Sequence, residues 1–244
     1  MLKELGKYFD HYTIHARFLP VFFISFPVVL TILAWYPDAK TILGGAITVL
    51  ISFGVMSFLS NYVSNLGNNL QDKLYKDWQG EPTTLILQPN NDTLDKFTKL
   101  RYFKWINCHR PDLSLPESFE SYISDDELTE KIRSSVNFLR EYTRDRKKNE
   151  KIYRDNVAYG FSRNLVALRY YGMLICIACI STSLFVINQQ VKDEIPFRLD
   201  TLGVSSTLIS LVFFISHVFI LNHSFVKWRA YRYALSLFEV CDSA

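Results

Sequence analysis

Residues 130–169 read EKIRSSVNFLREYTRDRKKNEKIYRDNVAYGFSRNLVALR, a charged stretch that runs directly into an apolar segment. Its apolar side chains recur close to the helical period, from Ile152 through Val157 and Leu165 to Leu168. Between residues 143 and 151 apolar side chains are absent and five basic ones appear: Arg144, Arg146, Lys147, Lys148 and Lys151. The pattern predicts one long helix that carries a basic block to the membrane and that would transmit a cytoplasmic signal.

The charged residues are unevenly distributed along the chain. The averages over 244 residues, 49% hydrophobic and 21% charged, resemble those of a soluble protein, but four windows contain almost no charge. Such segregation excludes a single soluble domain. The net charge of +3 is too small to indicate bulk binding of nucleic acid.

The four weakly charged windows are each long enough to cross a bilayer, which takes about 20 apolar residues in a helix. They are residues 18–35, 41–59, 171–187 and 202–221. The first ends at the interfacial aromatic pair Trp35-Tyr36, and only Asp38-Ala39-Lys40 separates it from the second. We therefore predict a mainly α-helical membrane protein whose four transmembrane helices form two hairpins.

The remaining residues complete a five-part layout. We predict a lead at 1–17, a first hairpin at 18–65, a helical cytoplasmic domain at 66–169, a second hairpin at 170–222 and an amphipathic helix at the membrane interface at 223–244. The short loops within the hairpins hold Lys40, Lys192 and Arg198, whereas most other Lys and Arg residues lie in the remaining parts. The positive-inside rule then places both termini in the cytoplasm. We expect a multi-pass protein of the bacterial inner membrane.

No catalytic motif occurs in the sequence. It contains no Walker A loop, no GxSxG, no HExxH and no glycine-rich dinucleotide turn. The four cysteines lack metal-binding or disulfide spacing, because Cys176 and Cys179 lie inside a predicted span while Cys108 and Cys241 stand apart. We therefore predict no enzyme activity, no catalytic residue, no metal site and no cofactor.

Basic residues at helical spacing indicate an anionic ligand. Steps of three or four residues would put several of them on one face of the predicted long helix, a geometry that suits multiple phosphates. The basic members of the predicted ligand-binding set are Arg140, Arg144, Lys147, Lys148 and Lys151, with Arg101 and Lys104 from a preceding helix. Tyr153, Asn156 and Arg163 would add stacking and hydrogen bonds. Alternatively, the same face attracts anionic lipid headgroups, at about 1 kcal/mol per residue near the surface.

The segment Trp78-x-Gly80-x-Pro82-Thr83 predicts a structural loop. Gly80 permits a positive φ angle, Pro82 fixes the backbone and Thr83 can cap a helix. We expect this loop to pack under the long helix rather than to contact a ligand.

The fourth span is rich in hydroxyl groups and carries a histidine. Ser206, Ser210 and His217 are predicted to line a pore, because polar and ionisable residues inside spans mark ion pathways. Hydroxyl groups also join helices to one another, so the same residues could serve packing alone. Four helices leave little room for a channel, so a pore would need a homo-oligomer, which we expect to be a tetramer.

Several motifs of the cytoplasmic domain stand together in this chain. They are Trp78-x-Gly80-x-Pro82-Thr83-Thr84, Asp92-Thr93-Leu94-Asp95, Thr143-Arg144-Asp145-x-Lys147 and Asn156-Val157-Ala158-Tyr159-Gly160-Phe161-x-Arg163-Asn164-Leu165. Together they resemble a widespread, uncharacterised family of bacterial four-helix membrane proteins, a resemblance that supplies no activity. The layout is also similar to membrane effectors of nucleotide-signalled antiphage systems, such as those of CBASS or Hailong operons.

The architectural resemblance implies an oligomeric inner-membrane effector or ion channel in antiphage defence. Its gate would respond to an anionic ligand, a nucleotide or oligonucleotide, or to a partner protein, at the cytoplasmic domain. The alternative is a non-conducting membrane scaffold or regulatory protein that binds a cytoplasmic partner. The expected partners are membrane lipids, further copies of the chain, and a nucleotide ligand or a partner protein encoded nearby.

Overall fold

A computed structural model describes residues 10–36, 53–119, 125–192 and 201–242, and every regular element in these residues is helical. We number its main helices α1 (Thr13–Trp35), α2 (Phe53–Asp77), α3 (Pro82–Leu85), α4 (Lys96–His109), α5 (Asp125–Tyr142), α6 (Glu150–Ala167), α7 (Arg169–Lys192), α8 (Thr201–Ile215) and α9 (His223–Phe238). The first turns of α1, Thr13–Phe18, are π-helical, a π-helix at Ser216–Ile220 follows α8, and a 3-10 turn at Glu239–Asp242 follows α9. The predicted mainly α-helical class is confirmed.

The chain divides into two compact units. We call Met1–Gln71 with Gly160–Val226 the membrane unit, and Asp72–Tyr159 with Lys227–Ala244 the polar unit. The boundaries fall inside α2, α6 and α9, so each of these helices contributes residues to both units.

Among the described residues of the membrane unit, three helical segments are long and apolar enough to cross a bilayer. They are Thr13–Trp35, Arg169–Gln190 and Thr201–Ile220. They coincide with the predicted first, third and fourth spans, which supports a membrane protein with transmembrane helices. Most of the predicted second span, residues 41–59, lies outside the described residues, and α2 begins at Phe53.

α1 runs parallel to the stretch formed by α6 and α7. Nδ2 of Asn164 donates to the carbonyl of Ala16 over 2.6 Å, and Nε1 of Trp35 donates to Oγ of Ser183 over 2.9 Å. The two partners are 148 residues apart in both pairs, so one register holds from the first turn of α1 to its last. Hydrogen bonds at both ends fix this register where apolar packing alone would allow sliding.

α8 packs against α1 and α7 and runs antiparallel to them. The ring centroids of Phe23 and Phe213 are 4.7 Å apart halfway along α1, and the indole of Trp35 lies against Gly203 at the end of α1. A Cβ on Gly203 would come within 2.2 Å of that indole, so a glycine is needed for the close approach.

One apolar core holds the polar unit together. α4, α5, α9 and the segment after α3 supply it, and Phe103, Ile106, Ile132, Leu139 and Phe238 are fully buried there. Burying one such side chain contributes about 1.5–3 kcal/mol relative to exposure. The core therefore fixes one side of α4 and leaves its other side to solvent.

The side chain of Lys99 on α4 hydrogen-bonds to the loop that precedes this helix. This side chain is 2% exposed, and its ammonium donates to the carbonyls of Gln88, over 2.7 Å, and of Asn91. Removal from water lowers the pKa of Lys99, an effect that Asp92 and Asp95 oppose by their charge.

The predicted long helix is wrong in one respect, because it is interrupted at residues 143–149. α5 ends at Tyr142, where Oγ1 of Thr143 donates to the carbonyl of Leu139 over 2.7 Å. Oδ1 of Asp145 then accepts the backbone N–H of Lys147 over 3.0 Å, which forms an Asx turn. These side chains offer the backbone bonds that compete with a helix, so the chain turns before α6 begins.

The C-terminal helix also differs from its prediction. We expected its apolar stripe at the membrane interface, but Ala234, Leu237 and Phe238 are buried in the core of the polar unit. A packed core removes this stripe from water as fully as a bilayer interface would, so amphipathicity alone could not distinguish the two.

Candidate anionic-ligand site

Most of the predicted ligand-binding cations are engaged in ion pairs. The pairs are Arg101 with Asp242 at 2.7 Å, Arg140 with Glu81 at 3.3 Å, Arg144 with Glu141 at 3.0 Å, and Lys151 with Glu239. Lys147 and Lys148 are exposed in the turn between α5 and α6 and have no ion pair in the described part of the chain. Because α5 ends before Arg144, the single basic helical face that we predicted is wrong.

The other three predicted residues lie apart from those cations. Tyr153 carries the guanidinium of Arg146 over its ring, 4.7 Å from the centroid, and Asn156 is half-buried on α6. Arg163 belongs to the membrane unit, where it is 8% exposed and donates to Oε1 of Gln71 over 2.6 Å. Its contacts are those of a structural residue.

A cleft of about 700 Å³ lies along the exposed side of α4. Five lining residues follow one stripe of that helix at spacings of three, four, seven and eight from the first: Arg101, Lys104, Trp105, Cys108 and His109. Tyr142 from the end of α5 and Cys241 with Asp242 from the C-terminal turn complete the lining. Two predicted ligand-binding residues, Arg101 and Lys104, therefore meet in one concave site. We call this site the α4 cleft.

One part of the α4 cleft is an aromatic cluster. The rings of Trp105 and His109 stack with centroids 3.8 Å apart, and Tyr142 meets both edge-on, at 5.4 Å and 5.7 Å. Nδ1 of His109 lies 2.9 Å from the carbonyl of Trp105, so Nδ1 carries the proton and donates. The imidazole ring is thereby held against the indole of Trp105.

The other part is a bound carboxylate. Nε and Nη2 of Arg101 donate to Oδ1 of Asp242 over 2.9 Å and 2.7 Å, and the hydroxyl of Tyr102 donates to Oδ2 over 2.9 Å. Burial, and then this hydrogen bond to Asp242, raises the pKa of Tyr102 to about 12, so the donor keeps its proton. Burial also raises the pKa of the Cys241 thiol to about 12, which makes it a poor nucleophile. Arg101 and the hydroxyl of Tyr102 thus together hold one carboxylate anion, that of Asp242.

Our prediction did not include Trp105, His109 or Tyr142. The four-residue spacing of Trp105 and His109 on α4 is a signal that would have placed both rings on one face. Tyr142 gives no such signal, because only the packing of α5 against α4 brings it near.

The predicted pore-lining residues are buried inside the membrane unit. Ser206 is 3% exposed, and Ser210 and His217 are fully buried. The two hydroxyls donate to carbonyls of their own helix, at Gly203 over 2.9 Å and at Ser206 over 2.8 Å. Within the described residues these side chains serve helix packing and face no open passage.

The predicted structural loop packs against α5 through α3. Its turn is strained, because Gln79 has a φ angle of 63° and Gly80 one of 150°. Pro82 begins α3, Thr83 is 4% exposed, and Trp78 lies 6.1 Å from the ring of Tyr75. Arg140 donates to Glu81 and, over 3.5 Å, to Thr83, which fastens the loop to α5.

Comparison with protein-family models, curated proteins and solved structures found no match to this chain. The resemblance to a family of four-helix membrane proteins therefore stays a prediction. Among the described residues, no three His, Cys, Asp or Glu side chains come together in a way that could hold a metal ion.

Proposed function

We propose that this chain is a four-span protein of the bacterial inner membrane that forms homo-oligomers and conducts ions when an anionic ligand binds its polar unit. The observation that carries the proposal is the α4 cleft. It combines a ring stack with two cations, in a chain whose described residues include three helices able to cross a membrane. Sites of this volume with a few polar groups are typical of small-molecule binding.

The directions of the helices support four spans. Because α1 and α7 are parallel, the chain leaves α1 at one end of the bundle and starts α7 at the other. Nη1 of Arg17 donates to Oγ of Ser60 over 3.3 Å, so Ser60 lies at the starting end of α1. Tyr36 and Ser60 thus lie at opposite ends of α1, and we propose that the second span connects them. Two hairpins with both termini on the cytoplasmic side account for this path.

The connection between ligand and membrane would run along α6 and α7. α6 contributes residues to both units, and only Leu168 separates it from α7, the third span. A ligand can shift a conformational equilibrium only by its difference in affinity for the two states. We propose that exchange of an ion pair in the polar unit supplies this difference.

The non-conducting scaffold is the second candidate, and the burial of Ser206, Ser210 and His217 favours it. If the chain conducts, the pathway must lie between protomers, because these polar groups are used inside one protomer. The expected role in antiphage defence rests on the architectural resemblance alone, and plating of phage on bacteria that express the chain would test it.

Ion flux from proteoliposomes, with the oligomer mass measured on the same preparation, tests the proposal. Flux from a defined oligomer that changes when nucleotides or short oligonucleotides are added is the expected result. A monomer or dimer without ion flux would contradict it. A pull-down for a cytoplasmic partner would then test the scaffold hypothesis.

A further inference from the structure

We propose that the α4 cleft binds a nucleotide, whose base stacks on the aromatic cluster and whose phosphate replaces the carboxylate of Asp242 on Arg101. The inference rests on the proposed function, since it names the ligand class and its site. It also gives the C-terminal turn a role as an internal competitor of the ligand.

The anion position is already built and is occupied by part of the chain. Arg101 holds Asp242 through Nε and Nη2, and Tyr102 holds the second carboxylate oxygen. A guanidinium fork with a neighbouring hydroxyl matches two oxygens of a phosphate as well as those of a carboxylate. Asp242 therefore marks where a phosphate would sit.

This ion pair can be exchanged easily. The side chains of Arg101 and Asp242 are 57% and 41% exposed, and pairs with this exposure contribute little to stability. Asp242 lies in the exposed last position of the 3-10 turn Glu239–Asp242. Lys104, which has no ion pair among the described residues, would meet the same or a second phosphate.

The aromatic cluster selects for a ligand with a flat ring. The rings of Trp105, His109 and Tyr142 contact one another, Trp105 also packs against the core, and His109 and Tyr142 remain exposed. Stacking of a base on such side chains tolerates any base, because each has a π face. A lipid headgroup offers phosphate without an aromatic ring, so the cleft favours a nucleotide over a membrane surface.

Binding of adenosine, guanosine and uridine monophosphates, and of inorganic phosphate, to the full chain in detergent tests the inference. The readouts are calorimetry and the quenching of tryptophan fluorescence. We expect the nucleotides to bind more tightly than phosphate. Lys104→Glu should weaken binding at least tenfold, whereas Lys96→Glu, at the start of the same helix and outside the cleft lining, should leave it unchanged.

Asp242→Asn provides the sharper variant. Loss of the competing charge should tighten nucleotide binding roughly fivefold, the scale of one exposed ion pair. Asp112→Asn is the matched control, because Asp112 forms an equivalent pair with Arg110, at 2.7 Å, outside the cleft. Lys104→Glu and Asp242→Asn change exposed side chains, so they test the site without disturbing Trp105, which packs against the core.

Two results would overturn the inference: absence of nucleotide binding by the folded chain, or an affinity that Asp242→Asn leaves unchanged or lowers. These results differ from failure of the proposed function. Nucleotide binding without ion flux would contradict the proposed channel function and leave the proposed nucleotide site in the α4 cleft intact. Flux that responds to a partner protein while no nucleotide binds would contradict the nucleotide site and leave the channel function intact.

Discussion

Gly172 and His217 pack so closely that a Cβ on Gly172 would lie 2.1 Å from Nε2 of the imidazole. His217 is fully buried, and its Nδ1 donates to the carbonyl of Phe213 over 2.7 Å. α7 and the π-helix after α8 therefore touch through a residue without a side chain, which is how membrane helices approach closely.

We expect Gly172→Ala to destabilise the membrane unit by about 1–3 kcal/mol, the usual cost of overpacking. Thermal unfolding in detergent would measure it. His217→Ala in the same chain should recover much of the loss, because it removes the atoms that clash. A Gly172→Ala variant with unchanged stability, or a double variant no more stable than Gly172→Ala alone, would contradict this contact.

Lys99→Met should destabilise the polar unit, since it keeps the length of the side chain but leaves two partly buried carbonyls without their donor. Loss of such hydrogen bonds costs about 1–3 kcal/mol. Chemical unfolding followed by tryptophan fluorescence would report it. Lys104→Met on the same helix is the matched control, and equal effects of the two variants would show that the buried lysine has no special role.

Stability should also depend on pH through Lys99. Its pKa is lowered by burial, so between that lowered pKa and the ordinary value of about 10.4 the unfolded chain binds more protons than the folded chain. The penalty for burying this charge is complete below the lowered pKa and disappears as pH rises toward 10.4. Unfolding measured from pH 7 upward should show the native chain gaining stability relative to Lys99→Met; parallel pH curves would contradict this.

The strained turn before α3 predicts opposite effects at neighbouring positions. Gly80→Ala should destabilise by about 1–2 kcal/mol, because it places a side chain at a positive φ angle, 3.0 Å from Cδ2 of Leu85. Gln79→Gly should stabilise by up to about 1 kcal/mol by relieving the φ angle of 63°. Unfolding midpoints would compare them, and a change of the same sign in both would argue against the turn.

Three predicted spans could be found from the sequence because a membrane helix must be apolar along its whole length, whatever it packs against. The interruption after Tyr142 was missed, since the segment from Thr143 to Asn149 contains neither Gly nor Pro. It depends on hydrogen bonds from Thr143 and Asp145, residues that also occur on exposed helix faces.

The site was harder to predict than the fold. Arg101 and Lys104 were predicted to add to the basic face around Arg140–Lys151, and in the structure both line the α4 cleft. The acids that neutralise other cations come from distant parts of the sequence: Glu81 pairs with Arg140, and Glu239 with Lys151. Only tertiary packing brings such partners together. The prediction from the run of basic residues therefore included cations that the structure pairs with acidic residues.

Nucleotide binding and ion flux measured on one proteoliposome preparation test the central claim most directly. If the α4 cleft gates the membrane unit, flux should change over the same range of nucleotide concentration that saturates binding. Asp242→Asn should shift both curves together to lower concentration. Ion flux that does not change when nucleotide saturates the cleft would contradict the claim. So would flux that responds to nucleotide equally in the unaltered chain and in Lys104→Glu.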